Sequence, residues 1–296
     1  NIHLGRFHLG LAFQLCRLAM LYIDTSYNSP NPTAERKKRL FWTLQSLEQT
    51  YGQHYRPASF SAEGLRTFYL SADQDSGLHR DRVSRPPPLP RDSVGCSADT
   101  DIGIWNLAIH FGWVWSGVRR YVSDCARNRL IEPWRHDSMY TMVISDLTEI
   151  ENKLPMCHRY DQVKFYEREP DELRIIPDYW ASWLKLQFTY HSILTVLNHP
   201  FLYIVASQFH SNLTIPNSFW RRSSELVLLH ATWVVRLIDM VTDKRVRLTD
   251  PFFGHAAAIT ATVHLYYCAA ADPRLKNKSK IDFTKCRRFL KGFICF

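Results

Sequence analysis

Between Pro177 and His199 the chain carries two apolar stripes at helical spacing, and they lie side by side. Tyr179, Trp183, Leu186, Tyr190, Ile193 and Leu197 form one, and Trp180, Leu184 and Phe188 form the other. A helix at a protein surface shows a single apolar face, so cover this wide requires burial on most sides. The rest of the chain must then supply walls around a central helix. His199-Pro200 closes the segment, because a proline cannot sit in a helix interior without losing a hydrogen bond. Strand signals are nearly absent elsewhere, and the expected fold class is all-α, a multi-helix bundle of antiparallel helices.

The walls are legible as further periodic runs. Phe7, Leu11, Leu15, Leu18 and Tyr22 make the apolar face of a first helix, ended by the polar run from Asp24 to Pro32. Asn31-Pro32 is a start signal for a second helix, since Asn caps free N–H groups and Pro fits the first helical position. In that helix an acid and a basic run, Glu35-Arg36-Lys37-Lys38-Arg39, lead into Leu40-Phe41-Trp42, and Leu40, Leu44, Leu47 and Tyr51 recur as its buried face. Glu35 stands four residues before Arg39, a favourable orientation worth about 0.2–0.5 kcal/mol on an exposed face.

From Ser71 to Ser97 periodicity gives way to prolines, glycines and arginines, including the triple Pro86-Pro87-Pro88. We read residues 71–98 as a long loop inside a single domain spanning 1–296, with an interdomain linker as the alternative. Asp99 or Thr100 is placed to cap a helix with Leu107, Phe111, Val114, Val118, Val122 and Cys125 on its inner face. Asp137-Ser138 opens another, with Met139, Val143, Leu147, Ile150 and Leu154. Asn217 or Ser218 caps one carrying Leu226, His230, Trp233, Leu237 and Met240. The alanine-rich segment His255 to Ala271 is too short for a membrane span, which needs about 20 apolar residues, and reads as a close-packed core helix.

The chain has 296 residues, 46% of them hydrophobic and 14% aromatic, enough to bury a large core and to exclude global disorder. Its formal charge of +9 favours acidic partners and also serves solubility. A first residue Asn1 and an apolar-basic ending at Phe296 suggest cuts through a longer protein, so no signal peptide can be read. Seven cysteines, odd in number and without a C-x-x-C pair, point to reduced thiols inside a cell rather than a disulfide framework. The tripeptides Asn212 to Thr214 and Asn277 to Ser279 match a glycosylation pattern by chance.

No arrangement of residues carries recognisable chemistry, and no residue is assigned to catalysis or to a metal. Gly5 and Gly10 have the spacing of a phosphate loop, yet Leu11-Ala12 stands where Lys and Ser or Thr would be needed. His255 and His264 are nine residues apart on one helix and point to nearly opposite faces at ~100° per residue, so they cannot share an ion. Cys157-His158 has no second pair at ligand spacing. Asp146, Glu149 and Glu151 form a solvated helix face more readily than an acid–base pair. Trp105, Trp113 and Trp115 favour core packing over a ligand cavity. The basic run 36–39 reads as a solvated or ion-paired face, because the aromatics beside it belong to the buried side instead of interleaving along an open groove.

The order of these elements resembles the middle homology, or regulatory, domain of fungal zinc binuclear cluster transcription factors. Leu9-Gly10-Leu11-Ala12 looks like the family's first helix. The segment from Glu35 to Trp42 is similar to its acid, basic, aromatic and tryptophan run, and Leu47-Glu48 stands where it has an acid in the same helix. Arg56-Pro57 resembles its Gly-Arg-Pro turn, Leu197 to Leu202 the Arg-Pro-Phe ending of a long helix, and Pro251 to Ala258 its last core helix. Two departures are local: Tyr55 replaces the expected glycine and Gln49 an arginine. The six-cysteine zinc cluster is not in this chain.

The resemblance implies a nuclear, non-enzymatic regulator of transcription with no cofactor in these residues, zinc belonging to a separate cluster domain. Its implied partners are the transcription machinery or regulatory proteins, a small-molecule effector, and DNA reached through that cluster, with no membrane. Glu35, Arg39, Phe41, Trp42, Glu48, Arg56 and Pro57 are then structural motif residues, and the ligand-binding residues are unknown. A helical enzyme with a hydrophobic cavity and a protein-interaction scaffold are the alternatives.

Overall fold

The computed structural model describes residues 2–21, 32–52, 103–127, 129, 132–209 and 215–294, and among these there is no strand. The longer helices are α1 (Ile2–Leu18), α2 (Pro32–Tyr51), α3 (Ile104–Ala126) and α4 (Met139–Lys153). Two short ones, α5 (Tyr160–Val163) and α6 (Pro170–Ile175), lead into α7 (Pro177–Leu197). After it come α8 (Pro200–Phe209), α9 (Asn217–Asp243), α10 (Pro251–Tyr267) and α11 (Pro273–Ile294).

The helix α7 occupies the centre, as its double stripe requires. Both stripes are buried except at Tyr190, which is half-buried, and α3, α9 and α10 pack on the helix directly. Several polar side chains in and just after it solve the burial problem locally, whereas Ser192 Oγ and Trp180 Nε1 are buried without a hydrogen-bond partner among the described residues. Thr189 donates to the Lys185 carbonyl at 2.6 Å, Thr195 to the His191 carbonyl at 2.7 Å, and Asn198 to the Leu194 carbonyl at 2.8 Å. Each hydroxyl or amide borrows an acceptor from the preceding turn, which spares the core an unsatisfied donor. Around this helix α4 lies on α3, and α11 lies on α9 and α10. The outer pair is α1 on α2, which in turn rests on α3.

Helix ends follow the sequence in part. Ser138 caps α4, accepting from the Thr141 N–H at 3.1 Å, as the Asp137-Ser138 pair predicts. Asn217 does not cap α9: Pro216 takes that position with no side-chain bond, and Asn217 begins the helix. The same helix closes with Arg245 left-handed at φ 53° and a Val246 N–H to Val241 carbonyl bond of 2.9 Å, a glycine-type ending made without glycine. Among the described residues Cys16, Cys125, Cys157, Cys268 and Cys286 form no disulfide. Residues 71–98 lie outside the described part of the chain.

Two expected faces are turned around. On α1 the row Phe7, Leu11, Leu15 and Leu18 is exposed, with Phe7 at 66% and Leu18 at 80%, while Phe13 and Cys16 on the opposite side are buried; Tyr22 lies outside the described residues. On α2, Leu40 is 53% and Leu47 41% exposed, Leu44 and Tyr51 are half-buried, and Phe41, Trp42, Gln45 and Gln49 face inward. The physical reason is area. Positions 41, 45 and 49 repeat as regularly as the leucines do, and an aromatic pair removes more surface from water, about 150–250 Å² for each ring.

Candidate functional site

The motif residues converge on the seat of α2, where sequence signals are densest. The helix enters with Arg36, Lys37 and Arg39 exposed and Glu35 in its first turn, the side chain of Glu35 being outside the described ones. Phe41 and Trp42 then turn inward, edge to face at 5.4 Å, and pack with Cys16 and Leu21 beyond α1 and with Ile109 of α3. Trp105 and Leu44 border this cluster. Two turns later Gln49 presses on Gly112 of α3, where an added Cβ would stand 2.9 Å from its Oε1. The missing side chain at Gly112 is what lets the two helices approach there.

The end of α2 is held by charge. Arg119, from α3, donates to the carbonyls of Glu48 at 3.3 Å and Gln49 at 2.9 Å, and also to that of Gly52. The last carbonyls of a helix have no partners within it and carry partial negative charge, so a guanidinium fork is a matched cap. Burial pushes the Glu48 carboxyl up, against the pull of Arg119 and Arg6. Burial likewise pulls the Arg119 guanidinium down, against Glu48. Two charges brought partly out of water thus stabilise each other.

A second joint lies beside it. The Tyr51 hydroxyl donates to Asp250 Oδ1, and Lys185 Nζ of α7 donates to Asp250 Oδ2 at 2.6 Å. Asp250 also caps α10 by accepting from the Phe252 N–H at 2.8 Å, and Lys185 stands 3.9 Å over the Phe252 ring. Burial pushes the Asp250 carboxyl up, but Lys185 and the hydrogen bonds outweigh it and the net direction is down. Burial and the neighbouring Asp250 push the Tyr51 phenol far up. With three donors on it and its carboxyl held below the usual range, Asp250 is held as a charged structural acceptor. This arrangement therefore joins α2, α7 and α10 rather than offering an acid–base pair.

The remaining candidates are placed apart from this seat. Glu149 pairs with Lys153 at 2.6 Å on the surface of α4, and Glu151 hydrogen-bonds Tyr190. Trp115 is buried edge-on against Phe252 at 5.2 Å, while Trp105 and Trp113 are half-buried. His158 is buried with Nδ1 3.3 Å from the Tyr179 hydroxyl, and its carbonyl accepts from Trp183 Nε1 at 3.0 Å. His255 is exposed and His264 buried, on different sides of α10.

His191 and His230 face each other with Nδ1 atoms 2.9 Å apart, and His191 stacks flat on Trp233 at 5.4 Å. Burial pushes both imidazoles down, His230 to about 4. His199 accepts from the Phe201 N–H at Nδ1 (3.2 Å) and meets the Thr262 hydroxyl at Nε2 (2.9 Å), and burial holds it at about 4 as well. Among the described residues no three His, Cys, Asp or Glu side chains are grouped to hold a metal.

Arg39, Phe41, Trp42 and Glu48 thus share one helix, with Phe41 and Trp42 inside and Arg39 at the rim, while Arg56 and Pro57 lie outside the described residues. Sequence reasoning missed Arg119, Lys185 and Asp250. Asp250 before Pro251 is a helix-start signal that could have been read, whereas nothing local marks Arg119, some 70 residues from its acceptors.

The chain is similar to two curated proteins of Fusarium oxysporum f. sp. lycopersici. It is 21% identical over 209 residues to the Zn(2)-C6 fungal-type transcription factor FTF1c, a match over 69% of this chain and 21% of that protein. It is 20% identical over 194 residues to the Zn(2)-C6 fungal-type transcription factor FTF2, covering 65% of this chain and 17% of the relative. The similarity thus spans about a fifth of each relative. No protein-family model matches the chain, and no solved structure matches it. No helix among the described residues is long and apolar enough to cross a membrane.

Proposed function

We propose that residues 1–296 form the regulatory, middle homology domain of a fungal zinc cluster transcription factor, acting in the nucleus. The observation that carries this reading is the similarity to two such factors over about two thirds of the chain. The all-α architecture and the seating of Phe41 and Trp42 beneath an exposed basic rim agree with the motif resemblance. In this reading Arg39, Trp42, Glu48 and Arg56 hold the fold and bind no substrate. Sequence-selective DNA contact belongs to a zinc cluster outside these residues. The domain packs against the DNA-binding and activating parts of the complete protein and responds to a small metabolite or a protein partner.

The complete gene product tests the reading. It should contain zinc, bind a defined DNA site until zinc is chelated, and keep its preference for that site when residues 1–296 are deleted while its transcriptional output changes. A product without zinc, whose transcriptional output is unaffected by the deletion, would overturn it.

A further inference from the structure

The sequence ends in a helix whose charges are spread out, and folding gathers them. In α11, Lys276, Lys280, Arg287 and Lys291 fall within about 60° of one another at 100° per residue, and Arg288 lies beside them. All five are exposed. They share their side of the helix with the exposed residues Asn277 and Thr284, and the nearest acid on that side is Asp272 at the helix start, whose carboxylate accepts from the Arg274 N–H at 3.0 Å. The one acid within α11, Asp282, is buried on the inner side, facing His264 at 4.0 Å and Lys278 at 3.5 Å. Lys285 is spent on Asp239 of α9 at 2.6 Å. Among the described residues none of the five outer cations has an acidic partner. From Lys276 to Lys291 the row runs about 22 Å, at a rise of 1.5 Å per residue.

We propose that this row grips the phosphate backbone of double-stranded DNA without reading its sequence. Three features select that partner. A straight row of five unpaired cations matches a rod that presents one negative charge per about 1.7 Å of axis. The aromatic residues of α11 are not available to a membrane, because Phe283, Phe289 and Phe293 pack on the core with Leu290 around buried Cys286, and Ile281, the single exposed large apolar side chain among the described residues of α11, is too little surface to anchor a helix in lipid. No exposed aromatic ring stands among the cations to stack unpaired bases, which favours a duplex over a single strand. The choice of DNA over RNA rests on the transcription-factor reading above. The contact adds affinity and orientation to a sequence-selective element elsewhere, since phosphate contacts position a protein while base contacts specify the site.

Binding of the 296-residue chain to an arbitrary 20-base-pair DNA duplex, followed by fluorescence anisotropy at about 50 to 200 mM salt, tests this. Five contacts predict an affinity that falls roughly 500-fold across that range, and the variant Lys280→Gln/Arg287→Gln/Lys291→Gln should fall only about 10-fold. The triple variant should melt at the same temperature as the parent, because the three side chains touch solvent. A parent and a triple variant with equal salt dependence would overturn the proposal. So would a preference for duplex RNA, or binding to phosphatidylserine vesicles or polyglutamate in place of DNA. None of those results touches the zinc content of the complete gene product, so the two readings fail separately.

Discussion

The helices α2 and α11 are both basic and amphipathic, yet they use their charges differently. In α2 the basic residues are consecutive, so successive side chains diverge by about 100° and scatter around the first turns. The rest of that helix is given to packing and to the Arg119 and Asp250 joints. In α11 the cations stand four, eleven and fifteen residues beyond Lys276, and the turn of the helix collects them into one row. A dense run in sequence is thus a poor guide to a dense patch in space. The spacing decides.

The largest expected effect is common to both helices, and it fixes the conditions under which they can be compared. His199 and His230 are held at about 4 in the fold, against an ordinary value of 6.5. Between those values the unfolded chain binds more protons than the native one, so stability falls as pH drops from 6.5 to 4. Each histidine contributes about 3 kcal/mol over that window. Urea unfolding midpoints between pH 7.5 and 4 should show the loss, and a flat profile would mean the imidazoles are not buried neutral.

Next in size is Trp42→Ala, expected to cost about 3–5 kcal/mol in a thermal melt while leaving the salt dependence of DNA binding intact. A melt at the parent temperature would remove the structural role assigned to α2. Arg119→Met should follow at about 2 kcal/mol, since it frees the last carbonyls of α2 but keeps most of the apolar stem. An unchanged denaturant midpoint would show that water replaces the guanidinium without cost. At the small end, reversing Lys37 and Lys38 to Glu should leave DNA affinity of this chain unchanged. A steep fall at fixed salt would move the DNA contact from α11 to α2.

How much of this was legible depended on whether the signal was local. The double stripe of α7 placed that helix at the centre, because no other position satisfies such wide apolar cover. The inner faces of α1 and α2 were misread because each helix offers two rows at the same period, Leu15 against Phe13 on α1 and, on α2, the leucine row of Leu47 against the row that Phe41 opens. Periodicity finds such rows; only the neighbouring helix chooses between them. Gln45 and Gln49 compounded the difficulty, since polar residues in a buried row look like a solvent face. Of α11 the sequence reading has only an apolar-basic ending at Phe296; the helix that gathers its cations, and the placing of Asp282 and Asp239 against Lys278 and Lys285, come from the structure.

The central position of α7 also sets a timetable for synthesis. Its fifteen buried side chains are covered by α3, made earlier, and by α9 and α10, made later. When Leu197 leaves the ribosome, the chain holds an intensely apolar helix with one of its three main walls in existence. Shelter is complete only after Tyr267 has emerged, 70 residues further on. At about 5–20 residues per second that is an interval of several seconds, during which the nascent chain is a natural client for chaperones.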